Sequence, residues 1–430
     1  MFSGGCVLTL GERTPNFKQA DVLVDDGKVA EIGPGLRARD AERVDAADTV
    51  VMPGFVDTHR HASRSLLRNL GSTAGPPTSS ASFTQPEDLY AATLIGLLGA
   101  VEAGITTVAD WSDVPGGADF TEAALQAHRD AGLRTLFVRA VDVARDGGPT
   151  ATREVLGGLV EAAGPFTTIA LGCELGPTGT EGMADHWVAA RGLNLPIQVH
   201  SGSQTRPQAI SEAAGRGLLG ADVTLVHGPG LDGTTIDALA GAGASVSLAP
   251  ASEMAGGLGS PPIQQLVDRH MRPGLGVDDE RVAPGDMFAQ MRATISFQHA
   301  TVFDRKLAGK AGLPRLMSTR DVIRFATVDG ARVAGLGRVT GSLEPGKQAD
   351  IVVLRTDRPN VYPINDPIGA VVWGMDTSNV DWVLAGGRVL MREGRLEADA
   401  GRARTLAAIA GQRVAAAAGL VVGAAPRGDG

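Results

Sequence analysis

His59 and His61 stand one residue apart at the end of the run Pro53-Gly54-Phe55-Val56-Asp57-Thr58. On a strand, side chains alternate with a period of two, so both imidazoles leave the same face. Two neutral imidazoles converging from one strand end are half of a transition-metal site. The other half must come from the ends of other strands, and three later apolar runs do end in a donor. Pro196-Ile197-Gln198-Val199 ends in His200, Val223-Thr224-Leu225-Val226 in His227, and Gly274-Leu275-Gly276-Val277 in Asp278. One such histidine alone reads as readily as a hydrogen-bonded core residue. Recurrence at the same end of successive runs is what points to a site.

The elements that must position these donors are legible around them. Further β-rich runs cover Thr106 to Trp111, Arg134 to Arg139, Thr167 to Glu174 and Ala244 to Pro250. That gives eight expected strands. Between them lie Ala- and Leu-rich segments with helical spacing, such as Leu89 to Ala103 and Phe120 to Ala131, closed by Gly104 and Gly132. Strand and helix alternating eight times is the pattern of a (β/α)8 TIM barrel, whose chemistry sits at the C-terminal strand ends. All the donors fall there.

The flanks predict a second unit. Asp21 to Gly33 reads as two strands about an Asp-Gly turn, Ala349 to Leu354 as a strand, and Val380 to Arg392 as a hairpin around Gly386-Gly387. Neither flank has enough strands to bury a sheet face alone, so the two ends are expected to pair into one small composite β-sandwich. The expected division is residues 1–52 and 336–400 for the sandwich, 53–335 for the catalytic barrel, and 401–430 for a helix and frayed tail.

Composition narrows the function. A net charge of -9 offers no basic surface for nucleic acid. The start of the chain lacks a basic n-region and long apolar core, and no apolar run is long enough to span a bilayer, so a cytoplasmic enzyme of small molecules is expected. Two cysteines, Cys6 and Cys173, argue against a disulfide framework and against cysteine-held zinc. Lysines stand only at 18, 28, 306, 310 and 347. None lies between the first and last donor strands, which excludes a two-metal centre bridged by a carboxylated barrel lysine.

Pro53 to His61, Gly104-Ile105-Thr106-Thr107-Val108, Val226-His227-Gly228 and Gly341-Ser342-Leu343-Glu344-Pro345-Gly346-Lys347-Gln348-Ala349-Asp350 together resemble the amidohydrolase superfamily, in particular its deaminase and chlorohydrolase branch. The likeness runs from residue 1 to about 397. It implies that His59, His61, His200 and Asp278 hold one divalent metal, zinc foremost, with iron or manganese as other fits. It further implies that Asp278 moves the proton of the attacking water and that His227 polarises the electrophilic carbon's substituent or fixes the attacking hydroxide. The implied reaction is hydrolysis of a C–N bond, in a cyclic amide or exocyclic amine, and the architecture is compatible with a homodimer.

One departure from that pattern bears on substrate. Deaminases of the branch carry Glu three positions after the third ligand histidine, whereas here the segment is His200-Ser201-Gly202-Ser203. A serine hydroxyl is no comparable proton donor. Three carboxylates near strand ends are candidates for part of that role: Glu174, foremost, as a catalytic group, with Asp113 and Glu253. Trp111, Ser203 and Glu253 are expected at the substrate pocket, and the loop from Gly71 to Gln85 is placed to cover it. The missing Glu also motivates a non-hydrolytic alternative, a lyase, decarboxylase or cyclase using the same metal. A non-catalytic scaffold is the third reading, disfavoured by four converging ligands.

Overall fold

The computed structural model describes residues 1–68, 83–112, 117–141, 147–175, 182–202, 205 and 208–417. Ser203, Asp113, most of the Gly71 to Gln85 loop and the tail from 418 lie outside the described residues.

Eight parallel strands form the barrel: β1 (Phe55–Arg60), β2 (Ile105–Ser112), β3 (Arg134–Val141), β4 (Thr167–Glu174), β5 (Ile197–His200), β6 (Val223–Val226), β7 (Ser245–Leu248) and β8 (Gly274–Leu275). Each pairs with its sequence neighbour, and helices such as Pro86–Glu102, Ala118–Ala131 and Gly233–Ala242 connect them. Glycine stops two of these helices: Gly132, as expected, and Gly243 adopt φ of 77° and 72° at their C-caps. At the other end, the Asp232 side chain accepts the Thr235 amide at 2.7 Å.

Two strands are shorter than their apolar runs. Pro250 opens a helix, Pro250–Ala255, which ends β7 at Leu248. Regular pairing in β8 covers only Gly274 and Leu275, because Asp278 turns into the left-handed region at φ 63°. The barrel closes beyond that point, where Asp278 bridges Arg60 in parallel.

The two ends of the chain pair into one nine-stranded sheet. Ile351–Arg355 runs antiparallel to Thr49–Pro53, with Ile351 opposite Pro53 and Arg355 opposite Thr49. On one side of this seam lie Phe2–Val7, Phe17–Asp25 and Lys28–Gly33, on the other Val380–Ala385, Arg388–Arg392 and Arg395–Leu396. The sheet curls until its Lys28–Gly33 edge meets the segment that leads into Ile351–Arg355, the Val29 amide donating to the Lys347 carbonyl and the Gly346 amide to that of Val29. It thereby encloses its own core of Phe2, Val22, Val29, Val51, Ile351 and Trp382, the two rings edge to face at 5.8 Å. Its other face shares the main core with the barrel, through Val352, Leu354 and Val380 beside Phe55 and Ile105. The helix Ala400–Ala417 docks on Pro86–Glu102, where Arg413 Nε meets the buried Asp88 Oδ1 at 2.9 Å. No helix among the described residues is long and apolar enough to cross a membrane.

Candidate metal centre

His59 lies near the end of β1, His200 ends β5, and His61, His227 and Asp278 each follow on a strand or its extension. Their imidazoles meet over the barrel's C-terminal mouth. Ring centroids are 4.9 Å apart for His59 and His61, 5.3 Å for His59 and His200, and 4.9 Å for His200 and His227. Asp278 sits against three of them: its Oδ1 is 3.4 Å from His59 Nε2 and 3.5 Å from His61 Nε2, and its Oδ2 is 3.8 Å from His227 Nε2. One donor atom each from His59, His200, His227 and Asp278 lies within 4.8 Å of every other.

The backbone holds the donors in place. His227 and Asp278 both take left-handed conformations, φ 66° and 63°, which a non-glycine residue adopts at an energetic cost. Each is pinned by a bond to the next strand: the His227 amide donates to Ser247 O and the Asp278 amide to His59 O, at 2.9 and 2.8 Å. Beneath them, the fully buried Asp57 accepts the Val277 and His59 amides on Oδ1, at 3.0 and 3.3 Å. Its Oδ2 takes Arg60 Nε at 2.7 Å, and Arg60 also donates to Glu280 and to Gly285 O. Arg60, inserted between the two histidines, therefore points away from them and clamps the chain beyond Asp278.

Burial sets the charge of the cluster. Loss of solvation pushes His61 and His200 well below the usual histidine range, helped by the Arg64 cation for His61 and by neighbouring His227 for His200. Burial also lowers His59, against the pull of Asp278. These imidazoles are neutral lone-pair donors at neutral pH. For His227 burial is outweighed by Asp278 and by Glu253, and its pKa is raised. Burial opposes ionisation of Asp278, but His227, His59 and His200 outweigh it and keep the carboxyl well below the usual carboxylate range.

This donor set fits one divalent metal ion. Both ring nitrogens of His59, Nδ1 of His200 and Nε2 of His227 are buried without a hydrogen bond, a state that calls for an ion or water. Ligand atoms about 2.0–2.2 Å from a common ion at tetrahedral angles lie roughly 3.3–3.6 Å apart. The Asp278 contacts with His59 and His61 have that spacing.

The other expected site residues divide. Glu174 ends β4 with its side chain 62% exposed at the mouth, its Oε1 3.9 Å from His200 Nδ1. Trp111 is 3% exposed and tilts against His200 at 5.1 Å, so it walls the cluster inside the barrel and offers little face for stacking. Glu253 differs most from expectation. It is 0% exposed and lies behind His227, Oε1 accepting from His227 Nδ1 at 2.8 Å and from the Ala249 amide at 2.9 Å. The helix opened by Pro250 folds the carboxylate back over the strand end, away from a substrate. Sequence reasoning missed this link and the Asp57–Arg60 clamp; Pro250 three residues before an acid was the one local signal for the former.

Comparison with known proteins agrees with this geometry. Residues 50–390 match the amidohydrolase family. The chain is 27% identical to the 5'-deoxyadenosine deaminase of Methanothermobacter thermautotrophicus, over 89% of this chain and 91% of that protein. It is 29% identical to the 5-methylthioadenosine/S-adenosylhomocysteine deaminase of Halobacterium salinarum, over 95% and 98%. Among solved structures, an adenosine deaminase from Xanthomonas campestris with bound zinc superposes with a TM-score of 0.83 at 20% identity, covering 96% of this chain and 98% of that one. The chain belongs to the amidohydrolase family.

Proposed function

We propose that this chain is a metal-dependent hydrolase that cleaves a C–N bond in a small organic molecule, with His59, His61, His200 and Asp278 holding one divalent ion, zinc first among the candidates. The observation that carries this reading is the convergence of four imidazoles, three buried and His200 partly so, and one ionised carboxylate at the C-terminal mouth of the barrel. When bound, the ion would acidify a water molecule and polarise the substrate's sp2 carbon. The protein supplies the rest. Asp278 is held ionised and rigid, so its carboxylate can take a proton from the water and return it to the leaving nitrogen. Trp111 and the barrel interior of Ala109, Leu136, Val138 and Ala170 close the site from below and keep bulk water out.

The substrate is an exocyclic amine or a cyclic amide. Both named sequence relatives are deaminases of adenine nucleoside derivatives, which favours the amine. The chain has Ser203 where the family resemblance implies a shuttle Glu, so the proton for the ring nitrogen must come from another group. Glu174, the exposed carboxylate beside His200, is the one we assign to it. We place the enzyme in the cytoplasm, where its two free cysteines stay reduced.

The test is metal content by elemental analysis, followed by ammonia release from 5'-deoxyadenosine, 5-methylthioadenosine, other amino-heterocycles and a set of lactams. About one ion per chain, lost in the double variant His59→Ala/His61→Ala together with turnover, is the expected result. No ion after reconstitution would sink the reading. One ion with carbon dioxide release or elimination instead of hydrolysis would replace it by the lyase reading that Ser203 motivates.

A further inference from the structure

The net charge of -9 conceals one strongly basic stretch. From Arg305 to Arg320 the chain holds Arg305, Lys306, Lys310, Arg315 and Arg320 and no acidic residue. This stretch covers the end of the helix Met287–Leu307 and the segment leading to the helix Thr319–Phe325. Every residue from Phe303 to Leu313 is exposed. Leu307 is 85% exposed, and Phe303, Leu313 and Leu316 are 37–44% exposed. A lone exposed leucine is ordinary, but four large apolar side chains set among bases form a patch. They lie side by side: the Gln298 side chain donates to Arg315 O at 3.0 Å and His299 Nε2 lies 2.8 Å from Met317 O, which holds Leu316 against the helix. The His299 ring in turn stands 6.2 Å from that of Phe303. None of Arg272, Arg305, Lys306, Lys310 and Arg320 has a carboxylate partner among the described residues.

The patch lies on the far side of the barrel from the metal donors. A cavity of about 240 Å³ beside it is lined by His270, Arg272, Gln298 and Arg315, and His270 and Arg272 lead directly into the start of β8. Asp321, the one acid in its wall, already accepts from Ser318 and Arg315. From Gln298 the helix runs on to Leu307, nine residues or about 13 Å beyond that face. We propose that this face docks on an anionic lipid surface, Phe303, Leu307, Leu313 and Leu316 entering the interface while Arg305, Lys306, Lys310 and Arg320 meet the headgroup phosphates. Apolarity and charge together select the partner. A nucleic acid would match the bases but leave the leucines in water. A second copy of this chain, packed about a two-fold axis, would set the same bases against each other. An anionic bilayer accommodates both kinds of side chain. No helix among the described residues can cross a membrane, so the chain lies on the surface, with its mouth turned to the water that carries the substrate.

Vesicle sedimentation of the full chain tests this, with phosphatidylcholine alone and with phosphatidylcholine mixed with phosphatidylglycerol, over a series of KCl concentrations. The wild type should bind only the vesicles that contain phosphatidylglycerol, and less as KCl rises. A basic residue near an anionic bilayer is worth about fivefold in partitioning, so Lys306→Gln/Lys310→Gln should weaken binding about 25-fold. Leu307→Ser/Leu313→Ser should weaken it at least about tenfold through lost apolar contact. Both double variants should keep the wild-type melting temperature, metal content and rate on soluble substrates, because the changed side chains are exposed and remote from the metal donors. A wild type that stays in solution beside phosphatidylglycerol vesicles, or a double variant that binds them as well as wild type does, would overturn the proposal. So would binding to duplex DNA, without lipid binding, that needs the lysines and not the leucines. A wild-type dimer that Leu307→Ser/Leu313→Ser converts to monomer in sedimentation equilibrium would likewise overturn it and give the face to a second copy.

Discussion

The amide of Asp278 donates to the carbonyl of His59 at 2.8 Å, and the Asp278 carbonyl in turn accepts the amide of His61 at 3.0 Å. The barrel is thus closed by the residues proposed to carry its chemistry, and the seam between first and last strands is also the proposed metal centre. Strand pairing and ligand geometry cannot be changed separately there.

Gly276 shows how tight the seam is. A methyl group at this position would lie 2.7 Å from His59 O and 2.8 Å from His59 N, contacts with backbone that no side-chain rotation relieves. Gly276→Ala should cost about 1–3 kcal/mol of stability through overpacking. Because His59 is what moves, metal affinity should fall by more than about tenfold, read by chelator competition at a temperature where the variant is folded. Unchanged affinity would mean that His59 is not tied to β8 as described.

The Asp57–Arg60 pair beneath the site makes a second prediction. Both side chains are fully buried, and Arg60 keeps Glu280 if Asp57 is neutralised. Removing one partner of a buried pair costs about 3–5 kcal/mol, and the remaining Glu280 places Asp57→Asn toward the lower end of that range. The double variant Asp57→Asn/Arg60→Met should be less destabilised than the sum of its parts, since no lone charge is left behind at the pair. Urea unfolding of the four proteins measures this cycle. Additive losses would show that the two groups do not act as a pair.

The metal-free protein should be less stable at pH 5 than at pH 7. His59, His61 and His200 have folded pKa values below the ordinary 6.5, so below that pH the unfolded chain binds more protons than the folded one. Their favourable contribution is complete above about 6.5 and drains away as pH falls toward the folded values, each tenfold difference in proton affinity being worth roughly 1.4 kcal/mol. His227, raised, has the opposite sign: its contribution is present below 6.5 and lost as pH rises through its folded value. Three groups against one leave a net loss on acidification. Melting temperatures in chelator between pH 5 and 8 should show it, and His200→Gln should flatten the slope; a flat wild-type profile would contradict the burial argument.

How far the site could be read from sequence follows from which forces act locally. His59 and His61 were visible because a strand's period of two places both on one face, and His200, His227 and Asp278 because each ends an apolar run. The eight strands were visible for the same reason. The left-handed turns at His227 and Asp278 were not, because neither residue favours that conformation by itself; bonds to Ser247 and His59, distant in sequence, impose it. Glu253 looked like a pocket acid, since Pro250 signals that a helix starts there but not that the helix turns its acid inward. The curl of the composite sheet likewise depends on contacts between residues 29 and 347, far apart in sequence.

Glu174 and Ser203 give the sharpest prediction about chemistry. If Glu174 supplies the proton that the missing shuttle residue would have moved, Glu174→Gln should leave metal content at wild-type level and lower kcat about 10²- to 10⁴-fold, the usual span for a general acid or base. The side chain is 62% exposed and only 3.9 Å from His200 Nδ1, so the substitution should hardly touch stability. Ser203→Glu places a carboxylate three positions after His200, where the family resemblance implies one. In the Glu174→Gln background it should restore part of kcat, and in the wild type it should shift preference toward amino-heterocycles whose ring nitrogen needs a proton. Steady-state rates on the amine and lactam panel for the two single variants and the double test this. Full activity in Glu174→Gln would reduce that residue to the rim of the pocket. Loss of kcat without any recovery on adding Ser203→Glu would mean that the two positions do not serve the same proton, and that the reaction has been built around a donor elsewhere in the mouth.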